Sequence, residues 1–239
     1  MAQTALVTGA DRGLGYALVE GLLARGRRVF AGQYMPDWPA LDELAAEQGD
    51  ALTVVPLDVS SQESMQAAAA AVASAVDHLD LLIGNAGISS RTMKAPIREP
   101  QDYEAMHRLF DVNALGAIRV VEALMPLLDA GIGKRLCFVS SEAGSITMAE
   151  RTSWYSYCMS KAALNMAVKI MFNDLRPDGY TFRLYHPGWM RTYMGGSKNT
   201  EADMEPEEAA AHALPIFLND RADEDRLVML DYRGVEWPF

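Results

Sequence analysis

Eight residues near the start, Thr8-Gly9-Ala10-Asp11-Arg12-Gly13-Leu14-Gly15, limit the folds open to this chain more than any other stretch. An apolar run, Ala5-Leu6-Val7, precedes them and reads as a short buried strand. After them Tyr16, Leu18, Val19, Leu22 and Leu23 recur at helical spacing. A strand, a glycine turn and a helix outline an anion site, because the first helical turn leaves N–H groups without backbone partners. The spacing Gly-x-x-x-Gly-x-Gly differs from the commonest dinucleotide fingerprint. On its own such a turn is equally a structural one that only needs small residues.

The downstream pattern repeats this unit. Strand-like runs at 28–32, 52–57, 79–83, 135–139, 180–185 and 226–230 alternate with helical patterns, the longest at 103–127 and 156–175. Such alternation predicts an α/β, doubly wound Rossmann-type fold: a seven-stranded, mainly parallel sheet with helices on both faces. The chain has 239 residues, half of them hydrophobic, and no charge block or Pro/Gly linker divides it, so one domain over 1–239 is expected. Residues 189–205 lack a clear period and carry two adjacent glycines; they read as a lid on the substrate side or as a surface excursion. The aromatic tail 231–239 should pack on the body or across a subunit contact.

A net charge of -11 opposes a nucleic-acid partner or an anionic membrane surface. No basic-then-apolar leader and no apolar run of 18 residues occurs, which points to a soluble cytoplasmic protein. Cys137 and Cys158, the two cysteines, stand in no metal-ligand spacing, and no metal site is expected.

Further features carry chemistry. Tyr157 and Lys161, four apart in a helical stretch, project one turn apart from one face. An ammonium there would favour phenolate and lower the tyrosine pKa, making it a usable acid/base group. Ser141, at the end of a strand, can donate to a carbonyl oxygen as charge develops. Asn113 lies inside the apolar 103–127 pattern, where an amide either bonds nearby backbone or serves a ligand network. At the end of the second strand Gln33 and Tyr34 replace the acidic residue that would repel a 2'-phosphate. Arg12 either supplies a positive charge there or is a solvated surface residue, and NADP(H) is favoured over NAD(H).

Together these pieces resemble the short-chain dehydrogenase/reductase family over essentially the whole chain. The matching residues, in order, are Thr8-Gly9 with Gly13 and Gly15, Asp58-Val59, Asn85-Ala86-Gly87, Asn113, Ser140-Ser141 with Gly144, Tyr157 with Lys161, and Pro187-Gly188 followed by Thr192. The long stretch between Gly144 and Tyr157 and the closing Asp231-Tyr232-Arg233-Gly234 with Trp237 look most similar to the C-factor and sniffer-like carbonyl reductase branch. Counting back from Tyr157 would put the catalytic serine on Gly144; Ser141, at the strand end, is the better assignment.

The resemblance implies reversible, NADP(H)-dependent reduction of a ketone or aldehyde by hydride transfer, with Ser141 polarising the carbonyl and Tyr157 giving its proton. Lys161 would bind the nicotinamide ribose and Asn113 a relay water. Cofactor contacts would come from Thr8, Gly9, Asp11, Arg12, Gly13, Leu14, Gly15, Gln33, Asp58, Val59, Asn85, Ala86, Gly87, Tyr157, Lys161, Pro187, Gly188, Trp189 and Thr192. Ser89, Ser90, Met148, Trp154, Trp189, Tyr193 and Met194 are candidate pocket residues for an aromatic or medium-sized carbonyl substrate. A homodimer or homotetramer through the two long helices is also implied. A catalytically silent NADP-binding regulatory protein is the alternative.

Overall fold

The structure, a computed structural model, describes residues 3–194 and 196–239. Its frame is one sheet, ordered β3-β2-β1-β4-β5-β6-β7-β8. The strands are β1 (Thr4–Val7), β2 (Arg28–Gln33), β3 (Leu52–Pro56), β4 (Leu81–Gly84), β5 (Arg135–Val139), β6 (Thr181–His186), β7 (Met229–Asp231) and β8 (Glu236–Trp237). The first seven run parallel. The last is antiparallel to its neighbour. The sheet therefore has eight strands, not seven: the tail folds back as a two-residue strand, with Met229 opposite Trp237. Asp231 fixes that return by accepting from the N–H groups of Arg233 and Val235, both at 2.9 Å.

Helices α1 (Gly13–Leu23), α2 (Ala40–Gln48) and α7 (Pro206–Leu218) cover one face, where Leu18, Leu22, Leu41 and Phe217 join Val7 and Ile83 in a buried layer. Helices α3 (Gln62–Ala75), α5 (Gly116–Ala130) and α6 (Tyr155–Leu175) cover the other with Met65, Val120, Leu164 and Phe172. Strand order reverses between β1 and β4, and the crevice at the carboxyl ends of those strands is where open α/β sheets take ligands.

One expected element divides. The pattern at 103–127 is not a single helix: α4 (Tyr103–Phe110) leads into a π turn over Asp111–Leu115 and then α5. The extra residue in that turn sets Asn113 inward at 2% exposure, where its amide bonds hold it.

Candidate active site

Gly9 and Gly13 take φ of +62° and +58°, the left-handed region that glycine enters without a Cβ clash. Gly15 serves packing, since a Cβ there would lie 2.1 Å from the Gly9 carbonyl oxygen. The loop is stitched to the β4 turn: Thr8 Oγ1 accepts from the N–H groups of Asn85 and Ala86, at 3.0 and 2.9 Å. The Asn85 amide donates back to the Thr8 and Gly9 carbonyls at 2.9 and 3.0 Å. Helix α1 begins with Arg12 at its N-cap, no side-chain cap and no acidic residue in its first turn. Its leading N–H groups thus meet no protein anion, which suits a phosphate.

Asp11 binds the turn after β2, accepting from Tyr34 and Met35 N–H at 2.9 and 2.6 Å. Asp58 closes its own turn on Ser60 N–H at 2.8 Å, beside Val59. Gln33 reaches Asp42 at 3.4 Å.

The catalytic candidates converge at the carboxyl ends of β4 and β5. A Cβ on Gly87 would lie 3.4 Å from Asn113 Oδ1 and 3.5 Å from Lys161 Nζ, so the three stand together. Asn113 Oδ1 accepts from Ile88 N–H at 2.8 Å, while its Nδ2 donates to Ile88 O and to Ser160 Oγ, each at 3.0 Å. Ser160 donates to the Tyr157 carbonyl at 2.8 Å. Ser141, which caps a 3-10 turn through Ala143 N–H, hydrogen-bonds with the Tyr157 side chain.

Lys161 is 2% exposed. Its Nζ donates to Val139 O at 3.0 Å and lies 5.9 Å from the Tyr157 ring centre. Burial lowers its pKa to about 8. Tyr157 keeps part of its surface open, yet its enclosure pushes the phenol up to about 12, against the pull of the Ser141 bond. The expected lowering of the tyrosine by the lysine is therefore corrected: desolvation wins on both groups.

The pocket candidates do not all meet. Trp154 stands at the N-cap of α6 with φ +69°, unusual for a bulky residue; its N–H donates to Met93 O at 2.8 Å and its ring meets Tyr157 edge-on at 6.3 Å. Ser89 Oγ donates to Met194 O at 3.3 Å, joining the loop after β4 to the 189–205 segment, of which Gly195 lies outside the described residues. Ser90 turns to Thr92 at 2.6 Å. Met148 and Trp189 are exposed. Tyr193 faces away from this group, its ring against Trp38 and Arg12. Gly188, after Pro187, has φ +81° and lies under the Tyr232 ring.

Sequence reasoning overlooked three residues. Ser160 ties Asn113 to the Tyr157 backbone. His186, just before Pro187, has a buried Nδ1 with no partner among the described residues. Trp38, the third, stands in a loop whose tertiary contacts no local pattern reveals. Only His186 had a signal, its place at a strand's carboxyl end beside a rigid turn.

Among the described residues no group of three His, Cys, Asp or Glu is placed to hold a metal. None of the described helices is long and apolar enough to cross a membrane.

The short chain dehydrogenase family model matches residues 3–203. C-signal of Myxococcus xanthus is 38% identical over 161 residues, 67% of this chain and 93% of C-signal. The fold is similar to that of an NADPH-bound carbonyl reductase from chicken fatty liver, with TM-score 0.86 and 29% identity, covering 100% of this chain and 99% of that one. It is also similar to a carbonyl reductase from Pseudomonas aeruginosa PAO1 in complex with NADP, with TM-score 0.79 and 28% identity over 100% of both chains.

Proposed function

Because the chain belongs to the short chain dehydrogenase family of oxidoreductases, we propose that it reversibly reduces a ketone or aldehyde with NADP(H), using Tyr157 as acid/base. One observation carries this reading: a fully enclosed ammonium, Lys161, has a single hydrogen-bond partner among the described residues and stands beside Tyr157, which bonds Ser141. Burying a cation with so little compensation is costly, and a bound ligand with hydroxyls to offer would supply what is missing.

The cofactor fits the residues present. The uncapped first turn of α1 and the glycines at Gly9 and Gly13 would take the pyrophosphate, with Thr192 across from Gly13, its side chain 3.5 Å from where a Gly13 Cβ would stand. Asp58 and Val59 would border the adenine, Lys161 the nicotinamide ribose and Arg12 the 2'-phosphate. When bound, NADPH supplies the hydride.

The protein's own part is the proton. Ser141 donates a hydrogen bond to the substrate oxygen, and the Tyr157 O–H breaks as its proton passes to that oxygen. The resulting phenolate is held by Ser141 and the Lys161 ammonium, and is reprotonated through the lysine and the Asn113 end of the site. A phenol raised to about 12 is fully protonated at neutral pH, which suits reduction. The intact Ser141, Tyr157, Lys161 and Asn113 group gives no support to a silent regulatory protein.

Trp154, Met148, Trp189 and Met194 would wall a site for an aromatic or medium-sized carbonyl compound, with 189–205 as its lid. Phe110, Ile118, Met166 and Ile170 are exposed on α4, α5 and α6, apolar faces suited to a homodimer or homotetramer. A carbonyl panel assayed with NADPH and NADH in parallel tests the reading. NADPH-dependent turnover is expected; binding of NADPH with no turnover on any carbonyl would overturn it.

A further inference from the structure

Three distant segments meet around one side chain. The Arg12 guanidinium carbon lies over the Trp38 ring, 4.9 Å from its centre, and over the Tyr193 ring at 5.4 Å. The rings themselves meet edge-on, with centres 5.4 Å apart and planes at 65°. Arg12 thus sits in the corner between two ring planes, one from the loop after β2 and one from the 189–205 segment.

A guanidinium has five N–H donors in a planar fork. One Arg12 nitrogen, Nη2, makes a long bond of 3.4 Å to the Tyr193 carbonyl. No other bond and no ion pair to the Arg12 side chain occurs among the described residues. Its neighbour Asp11 turns to the N–H groups of Tyr34 and Met35 instead. Rings hold a guanidinium through its face, whereas an anion is bound along its edge, so the two uses are compatible. Arg12 also borders a cleft of about 190 Å³ that includes Gly13 at the start of α1 and Lys198, with Arg191 paired to Glu205, and with Asp11 and Glu207 also on its wall.

We propose that Trp38 and Tyr193 are specificity-determining residues for the cofactor. They hold the Arg12 guanidinium beside the start of α1, where it would meet the phosphate that distinguishes NADPH from NADH. Through Tyr193, the 189–205 segment is tied to that choice, because an anion fixing Arg12 also fixes the ring packed on it. This inference rests on the NADP(H) reading above.

The test is a titration of NADPH and NADH, followed by calorimetry, on Trp38→Ala, Tyr193→Ala, Tyr193→Phe and Arg12→Ala, alone and combined. Both alanine variants in the loops should weaken NADPH by roughly three- to thirtyfold, the range for losing one cation–π contact, and NADH by less than twofold. Tyr193→Phe, which keeps the ring, should match the parent chain. In the Arg12→Ala background neither ring deletion should weaken NADPH further. Equal losses for both cofactors, or losses that persist without Arg12, would overturn the inference while leaving the NADP(H) reading standing. A parent chain that binds NADH as tightly as NADPH would overturn that reading and this inference with it.

Discussion

The two ends of the central sheet treat buried charge in opposite ways. At the amino-terminal end and along β6, the buried charges of Arg183, Arg135 and Asp80 are each met by several partners. Arg183, with its side chain fully buried, donates to Glu224 at 2.6 and 2.7 Å and to the carbonyls of Phe182, Ile216 and Asn219. Arg135 reaches Asp220, Thr181 and the carbonyls of Phe217 and Leu218. Asp80 accepts from four donors on Thr4, Ile132 and Gly133. At the carboxyl end Lys161 has one carbonyl, His186 Nδ1 has nothing among the described residues, and α1 starts uncapped. Saturated charge holds a fold together; unsaturated charge is held ready for a ligand.

The sharpest way to break this contrast is at Tyr157. Replacing it with Phe removes the hydroxyl proposed as proton donor but not the ring that packs against Trp154, so turnover should fall by about 10²- to 10⁴-fold with the thermal midpoint unchanged. Full activity in that variant would show the carboxyl end to be no more than a poorly packed edge. Arg183→Met is the opposite probe. It strands Glu224 beside Arg135, 3.9 Å away, and should cost about 3 kcal/mol in chemical denaturation, without changing kcat or KM of the folded fraction. A kinetic defect there would mean that the two ends are not separate.

These differences were unequally legible in the sequence. The glycine loop, the Tyr157 and Lys161 pair and the parallel alternation were readable because each is a local spacing with one physical meaning. The π turn at Asn113 was hidden because apolar residues continue at near-helical spacing on both sides of it. Strand β8 is two residues long, below what any alternation can mark. The raised pKa of Tyr157 depends on enclosure by segments far apart in the chain, and so does the meeting of Arg12 with Tyr193, 181 positions away. Seven strands can be counted from periodicity; what surrounds one phenol cannot.

Lys161 is both buried and poorly compensated. Burial lowers its pKa from 10.5 to about 8, so the folded state is penalised for holding the proton below pH 8. Between about pH 8 and 10.5 the unfolded chain binds more protons than the folded one, and stability gained from this group rises with pH. Lys161→Met should remove that rise, add on the order of 1–3 kcal/mol of stability at pH 7 and abolish turnover. In the parent, carbonyl reduction should decline as pH passes about 8, where the ammonium is lost. A variant less stable than the parent at pH 7 would place Lys161 among the structural charges.

The smallest effect belongs to Asp80, and its sign is the reverse. Burial alone would raise this carboxyl, but the N–H groups of Thr4, Gly133 and Ile132 outweigh it and hold the pKa below the usual carboxylate range. Its contribution is therefore complete above the unfolded pKa and disappears as pH falls through the folded one. Asparagine there turns an amide donor toward N–H groups, which should cost about 1–2 kcal/mol at pH 7. Variant and parent should converge as pH drops below the ordinary carboxylate range, because the parent then loses the same charge. Denaturation midpoints measured from pH 3 to pH 7 would show it. A gap that stays constant over that range would mean that Asp80 acts through shape, and that the saturated end owes less to its charges than the geometry indicates.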